Sequence, residues 1–436
     1  MFPGKRKTEQ LLNKMESNVE RQSYWAIVRR QFAKNRLAVW SLRILYVIVF
    51  IALFGDFIAN EKPFYCQIDG QTHYPIFKSY AVDWGWSTWE VQFLQKDWSD
   101  HDYETAWFPL IPYSPLTQDR KNSSFKSPFG PQEVASKRYW HWMGTDLLGR
   151  DILSGMIHGT RVAMMVGIIA MSVAAFLGIL LGGFAGYFGD EQLRMSRGRM
   201  ILLIPAFLFA LFYAFMARSY WLMEGDFSVE IFKSMAWFLL VFLSFQLLSS
   251  LLKFIPFFRK QLAFPADILV MRLIEIFQSI PTLFILLAVL AIIESNSIFN
   301  VMLIIGLVSW TNIARFVRSE LLRVRSLEFV EAGRALGFSE WRIVLRHAIP
   351  NALSPVLITI AFGIAGAILA EASISFLGIG IPVTEVTWGQ LLNVARTNPQ
   401  AWWLAVFPGL AIFITVTVFN LLGEGLTDAL DPRSRT

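Results

Sequence analysis

Apolar runs of about 20 residues recur along this chain, and that length is what a helix needs to cross the hydrocarbon core of a bilayer. No other feature limits the fold as strongly. In lipid only a helix or a closed barrel satisfies its own backbone polar groups, and runs this long and uninterrupted suit helices. Eight are legible: 41–59, 162–187, 200–216, 235–255, 271–293, 298–313, 354–377 and 401–422. The hydrophobic share is 55% and the mean hydropathy +0.46, against roughly 45–50% apolar residues in soluble domains. The expected fold class is an all-α polytopic membrane protein.

Charge orders these runs. The formal net charge is +6, and the cations collect between alternate runs, as cytoplasmic loops require. No nucleic acid is needed to explain them. Residues 1–36 hold nine Lys or Arg against Glu9, Glu16 and Glu20. Arg194, Arg197 and Arg199 follow the second run, and Lys253, Arg259 and Lys260 the fourth. Between Arg315 and Arg346 there are seven Arg against four Glu. With the basic tail after Asp431, this places both termini in the cytoplasm. The long segment 60–158 then lies outside, rich in aromatics and nearly balanced in charge. Tyr24–Phe32 reads as a short interfacial helix, and no cleavable signal is expected ahead of the first span. The one cysteine, Cys66, has no partner for an internal disulfide and no cluster for a metal.

Between two apolar runs lies a polar segment, Ser326–Pro350. Ser326 is a candidate helix cap, with Glu328 and Glu331 near the positive end. Gly337 reads as a stop and turn, Ser339 as a second cap, and Pro350 as the close of a second short helix. The reading is helix, turn, helix across one end of a bundle. The residues Glu331-Ala332-Gly333, then Gly337, then His347, then Ile349-Pro350 resemble the EAA loop of ATP-binding-cassette (ABC) importer permeases. Gly333 stands for Ala, His347 for Ile and Ile349 for Leu, with the spacing intact. The resemblance implies that Glu331, Ala332, Gly333, Arg334, Gly337, Arg342 and Pro350 dock a partner ATPase.

A second stretch, Gly144-Thr145-Asp146-Leu-Leu-Gly149-Arg150-Asp151 with Arg161 beyond it, resembles the run before the second span in the dipeptide and oligopeptide (C-type) branch of these permeases. Asp146, Arg150, Asp151 and Arg161 are expected to form one charge-paired knot, either structural or in contact with substrate. Residues 58–63 and the long outer segment resemble the Yej-type branch. The resemblance implies a type I ABC importer permease fold with six core spans. The pair 200–255 is then an inserted helical hairpin, whose first run contains Pro205. The expected division is 1–40 cytoplasmic, 41–59 first span, 60–158 extracytoplasmic, 159–199 second span and turn, 200–260 hairpin, and 261–436 core with the coupling loop 326–350.

Gly178, Gly182 and Gly186 recur every fourth residue, the pattern of close helix packing. An ionisable residue inside a span is costly and marks a candidate functional position. Glu371, followed by Ser375, is the clearest, and similar permeases carry Glu-Ala-x-x-Ser-Phe-Leu-Gly there. It suits the translocation route or the contact between permease halves equally with a carboxylate simply bonded to Ser. Gln278 and Ser279, beside Pro281, are weaker candidates for a polar lining. Asp56 reads as a boundary residue.

No phosphate loop, His-Glu-x-x-His, Gly-x-Ser-x-Gly or cysteine pair occurs. No catalysis and no cofactor are expected, so hydrolysis falls to other subunits. The resemblance implies ATP-binding subunits, a second permease, an extracytoplasmic solute-binding protein, a peptide substrate and a bacterial inner-membrane location. Two rivals remain at this point. An ion-coupled secondary transporter would show paired, interrupted helices in two repeated halves, and no repeat is visible. A membrane-anchored receptor would need far fewer spans.

Overall fold

A computed structural model describes residues 24–99, 101–224, 227–292, 297–380, 382 and 385–430. The basic residues 1–23 and the tail 431–436 fall outside this set. Among the described residues seven helices are long and apolar enough to cross a membrane, or eight with one bent pair counted as a span.

A short helix α1 (Tyr24–Phe32) leads into the first span α2 (Arg36–Ile58), which begins earlier than expected because the Asn35 side chain caps it through the Ala38 N–H. The segment after α2, read from the sequence as outer and so called below, is not wholly helical. It carries an antiparallel sheet ordered β2-β1-β3, from β1 (Tyr65–Ile68), β2 (Gln71–His73) and β3 (Thr105–Trp107). Cys66 pairs with His73 and Ala106 and is fully buried. Helix α3 (Pro75–Asp83) and a stack of Phe93 on Trp98, ring centroids 5.0 Å apart, complete a small packed unit.

The central element is α4 (Ile152–Phe188), which starts inside the stretch expected as outer segment. Asp151 caps it through the Ser154 N–H at 2.7 Å. It packs along α9 (Ile298–Val324). A Cβ on Gly182 would stand 2.2 Å from the Ala314 carbonyl oxygen, and one on Gly186 2.6 Å from that of Arg318. The helices therefore touch backbone to backbone, as the glycine spacing predicts. Arg318 of α9 pairs with Asp267 of α7 (Ala266–Ser279).

Strand β4 (Arg194–Ser196) follows α4 and pairs with β5 (Gln261–Ala263). Between them rise α5 (Arg197–Leu211) and α6 (Phe227–Leu251). Pro205 does not break α5, which continues through a π-helical turn, Phe212–Met216.

The span expected at 271–293 is broken. Helices α7 and α8 (Thr282–Ile292) meet at 84°. Ile280 is extended, the conformation imposed on a residue before proline, so Pro281 stops α7 instead of bending it. After α10 (Glu328–Ala335), α11 runs continuously over Glu340–Phe376. Pro350 thus lies within a helix and does not close one. The wider turn Val344–Ala348 lies just ahead of it, with Ile349 between, where proline cannot supply the N–H of a regular turn. Helices α12 (Trp388–Thr397) and α13 (Trp403–Leu430) end the described chain, with α13 packed on α11, α12, α2 and α1.

Candidate functional site

The segment between α9 and α11 folds as helix, turn, helix. Ser326 is not the cap: its hydroxyl donates back to the Arg323 carbonyl at 2.8 Å, and Leu327 takes the cap position with no side-chain bond. The chain is still turning out of α9 at 326, so the serine falls one residue early. At the far end Gly337 has φ +78°. Its N–H bonds the Arg334 carbonyl, and the Phe338 N–H bonds that of Gly333 at 3.1 Å. This paired closure ends the helix and needs a left-handed residue at 337. Ser339 caps the next helix by accepting from the Arg342 N–H.

One face of α10 is buried and the other free. Val330 is fully buried with Tyr187, Phe188, Ile343 and Val344. Glu331 and Ala332 are exposed, as are Gly337, Arg342 and Pro350. A Cβ on Gly333 would meet Ile343 at 3.5 Å and Phe338 at 3.8 Å, ordinary contacts that explain why Gly and Ala both suit this place. Arg334 Nε donates to Glu340 Oε1 at 3.0 Å, and the Tyr187 hydroxyl donates to Glu340 Oε2 at 2.5 Å. The helix-turn-helix is thereby riveted to the end of α4. The guanidinium of Arg342 lies 4.6 Å over the Phe338 ring. Around these groups Leu336 is 73%, Leu345 63% and Trp341 56% exposed. An apolar surface set among arginines is the composition of a docking face.

The outer motif is a folded knot, but not the single one expected. Asp146 accepts from the N–H groups of Leu148 and Arg150 and pairs with Arg150 Nε at 2.6 Å. The Thr145 hydroxyl donates to the Asn122 carbonyl and accepts from the Lys126 N–H. Gly144 and Gly149 both have positive φ, and a Cβ on Gly149 would lie 2.0 Å from the Asp119 carbonyl oxygen. Asp151 turns away to His141, Oδ2 to Nδ1 2.8 Å, while His141 Nε2 faces Asp119 Oδ2 at 3.3 Å. Burial pushes the Asp119 carboxyl up, but hydrogen bonds from Asn122, His141 and the Lys121 N–H outweigh it and hold the group below the usual carboxylate range.

Arg161 belongs to a separate cluster. It pairs with Asp56 Oδ2 at 2.6 Å and bonds the Ala52 carbonyl. Asp56 also accepts from the Tyr80 hydroxyl at 2.6 Å. Burial and this carboxylate push Tyr80 up to about 12. Asp56 is therefore the tie between α2, α3 and α4, and more than a boundary residue. His141, Asp119, Asn122 and Asp56 were invisible as a set, because they stand far apart in sequence with no period linking them.

The four candidate lining residues divide in two. Glu371 and Ser375 are both buried, with the Ser375 hydroxyl donating to Glu371 Oε1 at 2.5 Å where α12 crosses α11. A Cβ on Gly389 of α12 would lie 2.6 Å from Ser375 Cβ, so α12 and α11 pack tightly there. Gln278 and Ser279 instead lie on an exposed surface of α7. Gln278 bonds Asn312 and Arg315 of α9, and Ser279 bonds its own helix at Ile276.

The described residues thus form a polytopic helical bundle with an exposed, arginine-flanked helix-turn-helix between α9 and α11 and an ordered segment between α2 and α4, an architecture suited to a membrane permease. Residues 257–436 match the family model "Binding-protein-dependent transport system inner membrane component", and residues 23–77 match "N-terminal TM domain of oligopeptide transport permease C". The chain is 26% identical over 416 residues to the inner membrane ABC transporter permease protein YejE of Escherichia coli (strain K12), covering 94% of this chain and 96% of that one. It is 30% identical over 297 residues to the glutathione transport system permease protein GsiD of Pectobacterium atrosepticum, covering 68% and 74%. It is 28% identical to the dipeptide transport system permease protein DppC of Alkalihalophilus pseudofirmus, covering 68% and 73%. The chain belongs to the binding-protein-dependent inner-membrane permeases of ABC importers, in their peptide-type, Yej-like branch. That membership sets aside the secondary-transporter and receptor readings.

Proposed function

We propose that this permease forms, with a second permease, the route for peptides delivered by an extracytoplasmic solute-binding protein, and that separate ATP-hydrolysing subunits dock on residues 326–350. Both termini and this segment face the cytoplasm, in keeping with the arginine-rich loops. The observation that carries the reading is the riveted helix-turn-helix with Glu331, Leu336, Trp341 and Arg342 turned outward. Closure of the ATPase pair on ATP moves α10 and its Gly337 turn as one body. The rivet of Arg334, Glu340 and Tyr187 passes that movement to α4, and the α4–α9 contact carries it across the membrane. ATP thus favours one of two packed arrangements. The peptide cargo is supported by the relatives named for dipeptide and glutathione transport. The outer knot at Gly144–Asp151 holds the outer segment rigid on α4 for the binding protein to meet.

Cross-linking tests the docking. With the buried native cysteine removed by Cys66→Ala, Leu336→Cys offers a thiol at an exposed site. A cross-link from position 336 to an ATP-binding subunit, altered by ATP, is expected. Cross-linking at 336 only to the solute-binding protein would refute the orientation.

A further inference from the structure

The helical pair α5–α6 takes no part in the coupling route through α10, α4 and α9. It is hung from the core by a ribbon: β4 pairs with β5, and the Arg197 N–H bonds the Lys260 carbonyl at 2.9 Å. The helices pack on one another through Ala206, Ala210 and Ala214, all fully buried, and expose Ile204, Leu208, Leu243 and Leu247 outward as lipid-facing helices do. The ribbon sits at the docking-face end of the bundle. Asp190, just before it, accepts from the Ile268 N–H, and a Cβ on Gly189 would touch Arg325 at 2.9 Å.

Six cations crowd this base: Arg194, Arg197, Arg199, Lys253, Arg259 and Lys260. Five are exposed, and Arg197 lies half-buried with its guanidinium 4.6 Å over the Phe257 ring. Among the described residues none of the six forms an ion pair. The neighbouring carboxylates are Asp190, engaged as above, and Glu191. Beside the cations Phe254 is 86% and Phe257 58% exposed, with Ile255 between them. Cations that reach for water next to apolar rings that avoid it form an interfacial pattern, fitted to the boundary between headgroups and acyl chains.

We propose that the base of this hairpin binds anionic phospholipid headgroups. Arginine forks and lysine ammonium groups hold the lipid phosphates. Phe254, Ile255 and Phe257 enter the acyl boundary. The bound lipid pins the ribbon at the membrane surface, beside the docking face. This assignment is independent of the cargo and of the ATPase docking.

The test uses the full chain with whatever subunits purify with it, in nanodiscs of phosphatidylcholine alone or mixed equally with phosphatidylglycerol. Native mass spectrometry counts retained phosphatidylglycerol. Each cation near an anionic surface changes affinity on the order of fivefold, so R199Q/K253Q/R259Q/K260Q loses at least roughly a hundredfold at low salt. The charge-conserving R199K/R259K retains the lipid. If the neutral variant fails to insert, the native protein still decides: its retention falls as salt rises. Inorganic phosphate at matched concentration leaves retention unchanged. Equal retention by the native protein and the neutral variant would overturn the proposal, as would salt-independent retention in the native protein. Displacement by free phosphate would overturn the lipid as source. Loss of lipid whenever ATP-binding subunits are present would assign the patch to a protein partner instead.

Discussion

Replacing Gly182 by alanine should part α4 and α9, the two helices proposed above to carry movement from residues 326–350 into the membrane. The added Cβ would stand 2.2 Å from the Ala314 carbonyl oxygen and 2.8 Å from both Ala314 Cα and its carbonyl carbon, where ordinary contacts begin at 3.4 Å. All three atoms are backbone, so no side chain can swing aside, and α4 and α9 must separate by more than an ångström. The same seam is tight at Gly178 (2.7 Å), Gly186 (2.6 Å) and Gly306 (2.6 Å), so separation at one point loosens its neighbours. Overpacking of this kind costs about 1–3 kcal/mol, and backbone contact places Gly182→Ala at the upper end, about 3 kcal/mol. The control is Gly366→Ala in α11, where a Cβ meets nothing within 4 Å. It should leave stability unchanged or raise it by up to about 1 kcal/mol of helix propensity. The assay is the thermal midpoint of the detergent-solubilised, fluorescently tagged protein by size exclusion. A Gly182→Ala variant that melts with the native protein, or a Gly366→Ala variant that falls as far, would refute the packing argument.

Three further outcomes follow from the geometry. Gly333→Ala should be accepted and stiffen α10 by up to about 1 kcal/mol, leaving recovery of ATP-binding subunits unchanged on co-purification. Gly337→Ala must adopt a left-handed φ and should cost about 1–2 kcal/mol locally, read as faster amide exchange across 328–343 with the outer segment unaffected. For Asp119 the carboxyl is lower in the folded chain than the ordinary value near 3.9. Its stabilisation is therefore present above about pH 4 and lost as pH falls through the folded value. The gap in thermal midpoint between the native protein and Asp119→Asn should be constant from neutral pH down to that window and shrink below it.

What the sequence revealed, and what it hid, divides by the range of the interaction. Gly337, Ser339 and the glycine series on α4 were legible because each acts within a turn or at a helical period. The apolar runs were legible for the same reason. Element ends were not, since Asn35 and Asp151 extend their helices by caps lying outside the apolar pattern. Pro281 and Pro350 are the same residue with opposite outcomes: one meets an extended Ile280 and breaks a span, the other follows a widened turn and is absorbed. The single charge knot expected around Asp146 became two clusters, because the partners of Asp151 and Arg161, namely His141 with Asp119 and Asp56 with Tyr80, are brought together only by the fold of the outer segment. Glu371 could be placed in a span, but the crossing of α12 that buries it could not.

Docking of ATP-binding subunits on residues 326–350 is tested by gentle solubilisation of the tagged chain, identification of what purifies with it, and assay of ATP hydrolysis in that complex. ATP-binding subunits and a second permease should be recovered, with ATPase activity. Both the ATP-binding subunits and that activity should be lost from Glu331→Lys and Gly337→Pro variants that still insert in the membrane. ATP-binding subunits recovered in full with both variants would contradict the assignment of residues 326–350 as their docking site.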